Sequence, residues 1–237
     1  MKIYYRFSFK LMLDHAGNPR TSPDRPAWFD KWKCLENFVT VFKEHDITLI
    51  ADSVDDAVWD KLNTLYPTLD PRRTSFGSNA GSFLYSLGQA IQLPEDTIVY
   101  FVEDDYIHHE GADMILEQGL QHCPYVSLYD HPDKYWDSNA DKLCKLIVSE
   151  DCHWRTTSST TMTFASRVGY LKEDLSLFQR WCGGTDNWTH DTQLFTAISE
   201  LRGLVTPVPG YATHCDTWVI AKMVDWQSVL DRTTYDI

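Results

Sequence analysis

The 237-residue sequence has no run of about 18 apolar residues, the length that a membrane-crossing helix needs. Its opening MKIYYRFSF is too short and too polar for the apolar core of a secretion signal. Neither a membrane span nor export is therefore expected. Cysteines are few and dispersed: Cys34, Cys123, Cys144, Cys152, Cys182 and Cys215 include no C-x-x-C pair, which argues against a zinc site and a small disulfide scaffold. Reduced thiols in a cytoplasmic setting are the expectation. Positive charge is also scarce, with 21 Lys and Arg against 34 Asp and Glu, and the net charge of −13 opposes association with a nucleic-acid backbone. No G-x-G-x-x-G follows the first apolar stretch, which disfavours a dinucleotide oxidoreductase. No repeat, low-complexity tract or linker divides the chain.

What is present suffices for one large domain covering 1–237: 43% of residues are hydrophobic and 14% aromatic. Residues 2–9 favour a strand, and a Gly/Pro/Asp-rich loop runs from Asp14 to Pro26. Trp32, Leu35, Phe38, Val39 and Phe42 follow helical spacing before ITLIAD, a buried strand ending in Asp52. Ser82 is a candidate N-cap for a helix carrying Phe83, Leu84, Leu87, Ala90 and Ile91 on one face. A strand over Thr97–Val102, a helix over Ala112–Gln121 and the strand YVSLYD come next. Strands also suit KLCKLIVSE and TTMTFASR, and a helix suits HDTQLFTAISEL. This alternation predicts an α/β fold, a mainly parallel sheet flanked by helices.

The stretch IVYFVEDDYIHH drives apolar residues into a core and then emerges as Glu103, Asp104 and Asp105. In open parallel sheets ligands gather beyond the carboxyl ends of strands. Three adjacent carboxylates repel one another unless a cation screens them, and such oxygen ligands suit Mg²⁺ or Mn²⁺ together with substrate phosphates. An acidic strand end facing solvent is the plainer alternative. His108 and His109, just beyond, are expected to be solvated at a helix entry.

YFVEDDY resembles the D-x-D-type motif of GT-A glycosyltransferases. With YYRFS, FGSNAGSF, YVSLYDHPDKY, CHWRTTSSTTMTFASRVG and VPGYATHCDT, the sequence is similar over nearly its whole length to small GT-A enzymes of bacteria and large algal viruses. That resemblance implies a Rossmann-like single domain, with 1–110 serving a nucleotide-sugar donor of the UDP-sugar type and 111–237 a carbohydrate acceptor. It implies Asp105 and His214 as ligands of Mn²⁺ or Mg²⁺, with Glu103 and Asp104 nearer the ribose and donor sugar. The triplet Glu-Asp-Asp keeps no strict Asp-x-Asp register, so which carboxylate meets the metal stays open at this level.

Arg6 and Asp52 end strands where a nucleotide would rest, although a salt bridge and a helix cap are their structural alternatives. Asn79, between Gly77 and Gly81, suits close approach to the donor. Trp154 offers a ring face for a sugar, and Arg155 and Thr156 offer polar groups for an acceptor. Asp191, ahead of an apolar helical pattern, is either a cap or the general base that deprotonates the acceptor. Two other readings are a sugar-phosphate nucleotidyltransferase, against which stands the lack of a Gly-rich phosphate loop near residues 5–20, and a catalytically silent carbohydrate-binding protein.

Overall fold

Alternating faces organise the N-terminal half. In β1 (Lys2–Phe7) the side chains of Ile3, Tyr5 and Phe7 enter one hydrophobic cluster while Tyr4 enters another, the period-two pattern of a strand covered on both sides. The structure, a computed structural model, describes residues 1–9, 24–136, 141 and 143–234, so most of the loop expected from Asp14 to Pro26 lies outside the described residues. The chain continues through α1 (Lys31–Val41), β2 (Asp46–Asp52), α2 (Asp56–Leu65), β3 (Asp70–Thr74), α3 (Asn79–Ala90) and β4 (Ile98–Glu103). Asp30, Asp55 and Ser78 accept backbone N–H bonds at the starts of α1, α2 and α3, each such cap contributing about 1 kcal/mol. Ser78 corrects the choice of Ser82, which lies inside α3, its hydroxyl 3.1 Å from the Ser78 carbonyl.

After β4 come β5 (Tyr106–His108), α4 (Ala112–His122), β6 (Tyr125–Val126), α5 (Asp133–Trp136), β7 (Leu146–Val148), β8 (His153–Thr156) and β9 (Phe164–Arg167). The chain ends with α6 (Val168–Glu173), α7 (Leu175–Cys182), α8 (Asp191–Leu201), β10 (Leu204–Val208), β11 (Ala212–His214) and α9 (Trp226–Thr233). Among the described residues the main sheet has the order β3-β2-β1-β4-β9-β6-β10-β8-β7, and β5 pairs with β11 in a separate ribbon. The parallel arrangement expected holds for β3-β2-β1-β4 and for β6 with β10. The remaining pairs are antiparallel, because β9 is inserted between β4 and β6 and β8 returns beside β10.

One cluster packs α1, α4 and α9 on one face through Phe38, Leu116 and Trp226; the other packs α3, α7 and α8 on the opposite face through Phe83, Phe178 and Phe195. His108 corrects a sequence expectation: it is fully buried in β5, with its ring Nε2 2.7 Å from the Tyr100 hydroxyl. Asn37 holds the same strand, bonding the His108 backbone N–H and C=O at 2.8 and 2.9 Å and the Thr233 hydroxyl at 2.7 Å. One buried amide therefore joins α1, β5 and α9.

Candidate active site

Strand order reverses at β1, which has β2 on one side and β4 on the other. A crevice opens beyond the carboxyl ends of strands at such a point. The parallel register makes Arg6 of β1 the direct partner of Glu103 of β4. Arg6 lies 3.4 Å from Glu103 Oε1 and donates from Nη1 to the Asn79 side-chain oxygen, while Asn79 Nδ2 donates to Glu103 Oε1 at 3.0 Å. Asn79 also reaches the Thr189 hydroxyl at 3.3 Å, linking the start of α3 to the loop before α8. Arg6, Asn79 and Glu103 are thus brought together, with Arg6 buried as their charged centre and paired with a carboxylate, its structural alternative.

Each carboxylate of the triplet meets a basic side chain from elsewhere in the chain. Asp104 Oδ2 accepts from Lys31 Nζ at 2.8 Å and from the Ser8 backbone N–H at 2.6 Å, knotting the end of β1 to the start of α1. Asp105 Oδ2 accepts from Arg25 Nη2 at 2.8 Å and lies 2.9 Å from His214 Nε2. That second contact follows from the ribbon, whose register pairs His214 with Tyr106, the residue after Asp105. The protein itself supplies the screening cations that three adjacent carboxylates require.

These surroundings separate the three acids electrically. Burial pushes Glu103 up, with Arg6 opposing and Asp105 reinforcing the rise. Burial also raises Asp104, against the pull of Lys31. At Asp105 burial acts in the same direction, but His214 and Arg25 outweigh it and hold the carboxyl well below its usual range. Burial likewise disfavours the charged form of His214, yet Asp105 and Glu103 raise it overall. Asp105 is the most firmly ionised of the triplet.

The chemistry of this donor set suits a divalent cation. Asp105 Oδ2 and His214 Nε2 are hydrogen-bonded to each other at 2.9 Å, and they are oxygen and nitrogen donors of the types that Mg²⁺ and Mn²⁺ accept. Among the described residues no three His, Cys, Asp or Glu side chains form a closed ligand set. An ion bound to this pair would complete its shell from substrate oxygens and water.

No family model and no curated relative matches the sequence. Similar solved structures are found nonetheless. The 4-diphosphocytidyl-2C-methyl-D-erythritol synthase from Anaerococcus prevotii is 12% identical with a TM-score of 0.51, over 98% of this chain and 96% of that one. HddC from Yersinia pseudotuberculosis is 10% identical with a TM-score of 0.51, over 98% and 99%. S. aureus TarS 1–349 in complex with UDP is 12% identical with a TM-score of 0.50; the match covers 87% of this chain, which spans 57% of that one. The fold is of the GT-A type. Identities this low carry the fold and no more.

The remaining sequence candidates divide. Asp191 begins α8, accepts from the Thr192 N–H at 2.8 Å, and is raised by burial, with His131 and His190 opposing the rise. It lies close enough to Glu103 for its charge to raise that group further. Asp52, by contrast, has both oxygens committed: Oδ1 to the Thr74 hydroxyl at 2.8 Å and the Phe76 N–H at 2.7 Å, Oδ2 to the Gly77 N–H at 2.8 Å. It shapes the loop between β3 and α3, and direct reading of a base or ribose by its carboxylate is corrected accordingly.

Two of the three acceptor residues, Trp154 and Arg155, are corrected as well, because both are buried. Trp154 is 0% exposed, and a Cβ at Gly119 would lie 2.6 Å from its ring, so the indole fills the interior between α4 and the sheet. Arg155 is buried, bonded to Asp130 at 2.7 Å and Asp141 at 2.8 Å, and the Thr156 hydroxyl accepts from the Lys145 N–H at 2.9 Å. Sequence reasoning missed Arg25 and Lys31; the only signal for them was the triplet's own need for counter-charge.

Proposed function

We propose that this protein is a glycosyltransferase, moving a sugar, a hexose in the first instance, from a nucleoside-diphosphate donor such as a UDP-sugar to a hydroxyl of a carbohydrate acceptor. The observation that carries this reading is the convergence at the β1/β4 reversal: Arg6, Asn79 and Glu103 on one side, Asp105 with His214 at the centre, and Asp191 on the other. The similarity to a structure holding UDP supports the choice of nucleotide. In this reading residues 1–110 serve the donor and 111–237 the acceptor, except that His214 returns to the donor side. Unpaired cysteines accord with a cytoplasmic setting, and no described helix is long and apolar enough to cross a membrane. The net charge of −13 speaks against a nucleic-acid partner.

A divalent cation, Mn²⁺ or Mg²⁺, held by Asp105 and His214 would neutralise charge developing on the departing diphosphate. Glu103, fixed by Arg6 and Asn79, faces the donor as a rigid acceptor of hydrogen bonds. The acceptor hydroxyl gives its proton to Asp191 as its oxygen bonds to C1 of the sugar and the C1–O bond to the diphosphate breaks. Burial makes Asp191 a stronger base than a free carboxylate, in the sense general base catalysis favours.

The likeness to a diphosphocytidyl-compound synthase favours one second reading, a sugar-phosphate nucleotidyltransferase. Incubation with UDP- and GDP-sugars and Mn²⁺ separates the two. Slow release of UDP from one sugar nucleotide is expected. Failure with every sugar nucleotide, combined with pyrophosphate release from a nucleoside triphosphate and a sugar phosphate, would establish the second reading. Inactivity in both assays would leave a carbohydrate-binding protein.

A further inference from the structure

The guanidinium of Arg25 sits on the Asp105 carboxylate, at the oxygen that also faces His214. It lies 2.8 Å from Asp105 Oδ2, the same atom that faces His214 Nε2 at 2.9 Å. The position is built. Arg25 also donates to the Cys215 carbonyl at 2.5 Å, and its guanidinium lies over the Phe29 ring at 4.6 Å from the centroid. Its neighbour Asp24 is clasped by the segment following His214: the Asp24 carbonyl accepts from the Thr217 N–H at 2.8 Å and its carboxylate from Trp218 Nε1 at 3.2 Å. The backbone leading to Arg25 and the backbone leaving His214 are therefore fastened together beside Asp105, whose carbonyl accepts from the Cys215 N–H at 2.8 Å.

We infer that Arg25 is a resident counter-ion that competes with a divalent cation for Asp105 and so sets the affinity of the nucleotide-free protein for metal. The inference rests on the metal reading of Asp105 and His214. Two positive charges on one carboxylate oxygen repel, and an ion approaching Oδ2 must break the Arg25 bond or share a carboxylate whose charge is already balanced. A charge-assisted bond of this type accounts for about one order of magnitude or more in an equilibrium constant. Lys31 is engaged with Asp104 and Arg6 with Glu103, so Arg25 is the cation among these three that directly opposes metal at Asp105.

The test titrates Mn²⁺ into nucleotide-free protein, following free Mn²⁺ by electron paramagnetic resonance, for wild type, Arg25→Met, Arg25→Lys and the double variant Arg25→Met with Asp105→Asn. Thermal midpoints verify folding. Arg25→Met is expected to bind Mn²⁺ at least about tenfold more tightly than wild type. Arg25→Lys should fall between them, and the double variant should lose the gain. Equal or weaker binding by Arg25→Met, while UDP-bound wild type takes up Mn²⁺ and UDP-bound Asp105→Asn does not, overturns competition and leaves the metal reading standing. Should Arg25→Met and UDP-bound wild type both fail to bind Mn²⁺, the metal reading falls and the competition with it. Should Arg25→Met not fold, Arg25→Lys carries the test, with unchanged affinity as the overturning result.

Discussion

Asp191 begins a helix whose preceding residue, His190, makes no side-chain cap bond, so its carboxylate has a structural use at the helix start, to which the proposed function adds a chemical one. Asp191→Asn separates them. The amide keeps the shape but cannot take a proton, so a general base requires transfer to fall by about 10²- to 10⁴-fold. Loss of one negative charge at a helix start alters stability by about 0.3–1 kcal/mol. UDP affinity should be nearly unchanged. A near-wild-type transfer rate would reduce Asp191 to its structural use. At this scale the sequence was informative about position: the acidic triplet does stand at the end of β4 and Asp191 at the start of α8. Trp154 misled because an indole within CHWRTT has the same letters whether its ring faces a sugar or packs over Gly119. Asp52 was placed correctly at its strand end, but which donors fill its oxygens depends on a turn 22 to 25 residues away.

Among the elements, the ribbon of β5 and β11 decides the site, since its register sets His214 beside Asp105. Three-residue strands leave almost no periodic signal, so neither was legible, whereas β2 and β4, long apolar runs ending in acids, were. β3 offers no apolar alternation to read: DPRRT is an edge strand whose Arg72 and Arg73 pair with Asp70 and Asp56. Buried His108 fastens β5 to the core and supplies a pH signature. Burial lowers it to about 3, so the folded chain holds it neutral while the unfolded chain protonates it below about pH 6.5. Its contribution is complete above that pH and is lost at about 1.4 kcal/mol per unit as pH falls towards 3. Its ring resonances in an NMR titration should remain those of neutral imidazole through pH 5. A midpoint near 6.5 would show that β5 opens to water.

Over the whole molecule, the net charge of −13 coexists with a site in which Arg6, Lys31, Arg25 and His214 all converge on three carboxylates. Composition reports the first fact and only the fold the second, because those cations come from β1, the segment before α1, α1 itself and β11. The central claim is that this cluster binds a nucleoside diphosphate through a cation on Asp105. Its most direct measurement is the affinity for UDP, with and without Mn²⁺, of wild type and Asp105→Asn, by calorimetry, alongside their thermal midpoints. Mn²⁺ should tighten UDP binding by wild type at least about tenfold, a gain of 1.4 kcal/mol. It should leave folded Asp105→Asn unaffected, and an equal Mn²⁺-dependent gain in that variant would contradict the account.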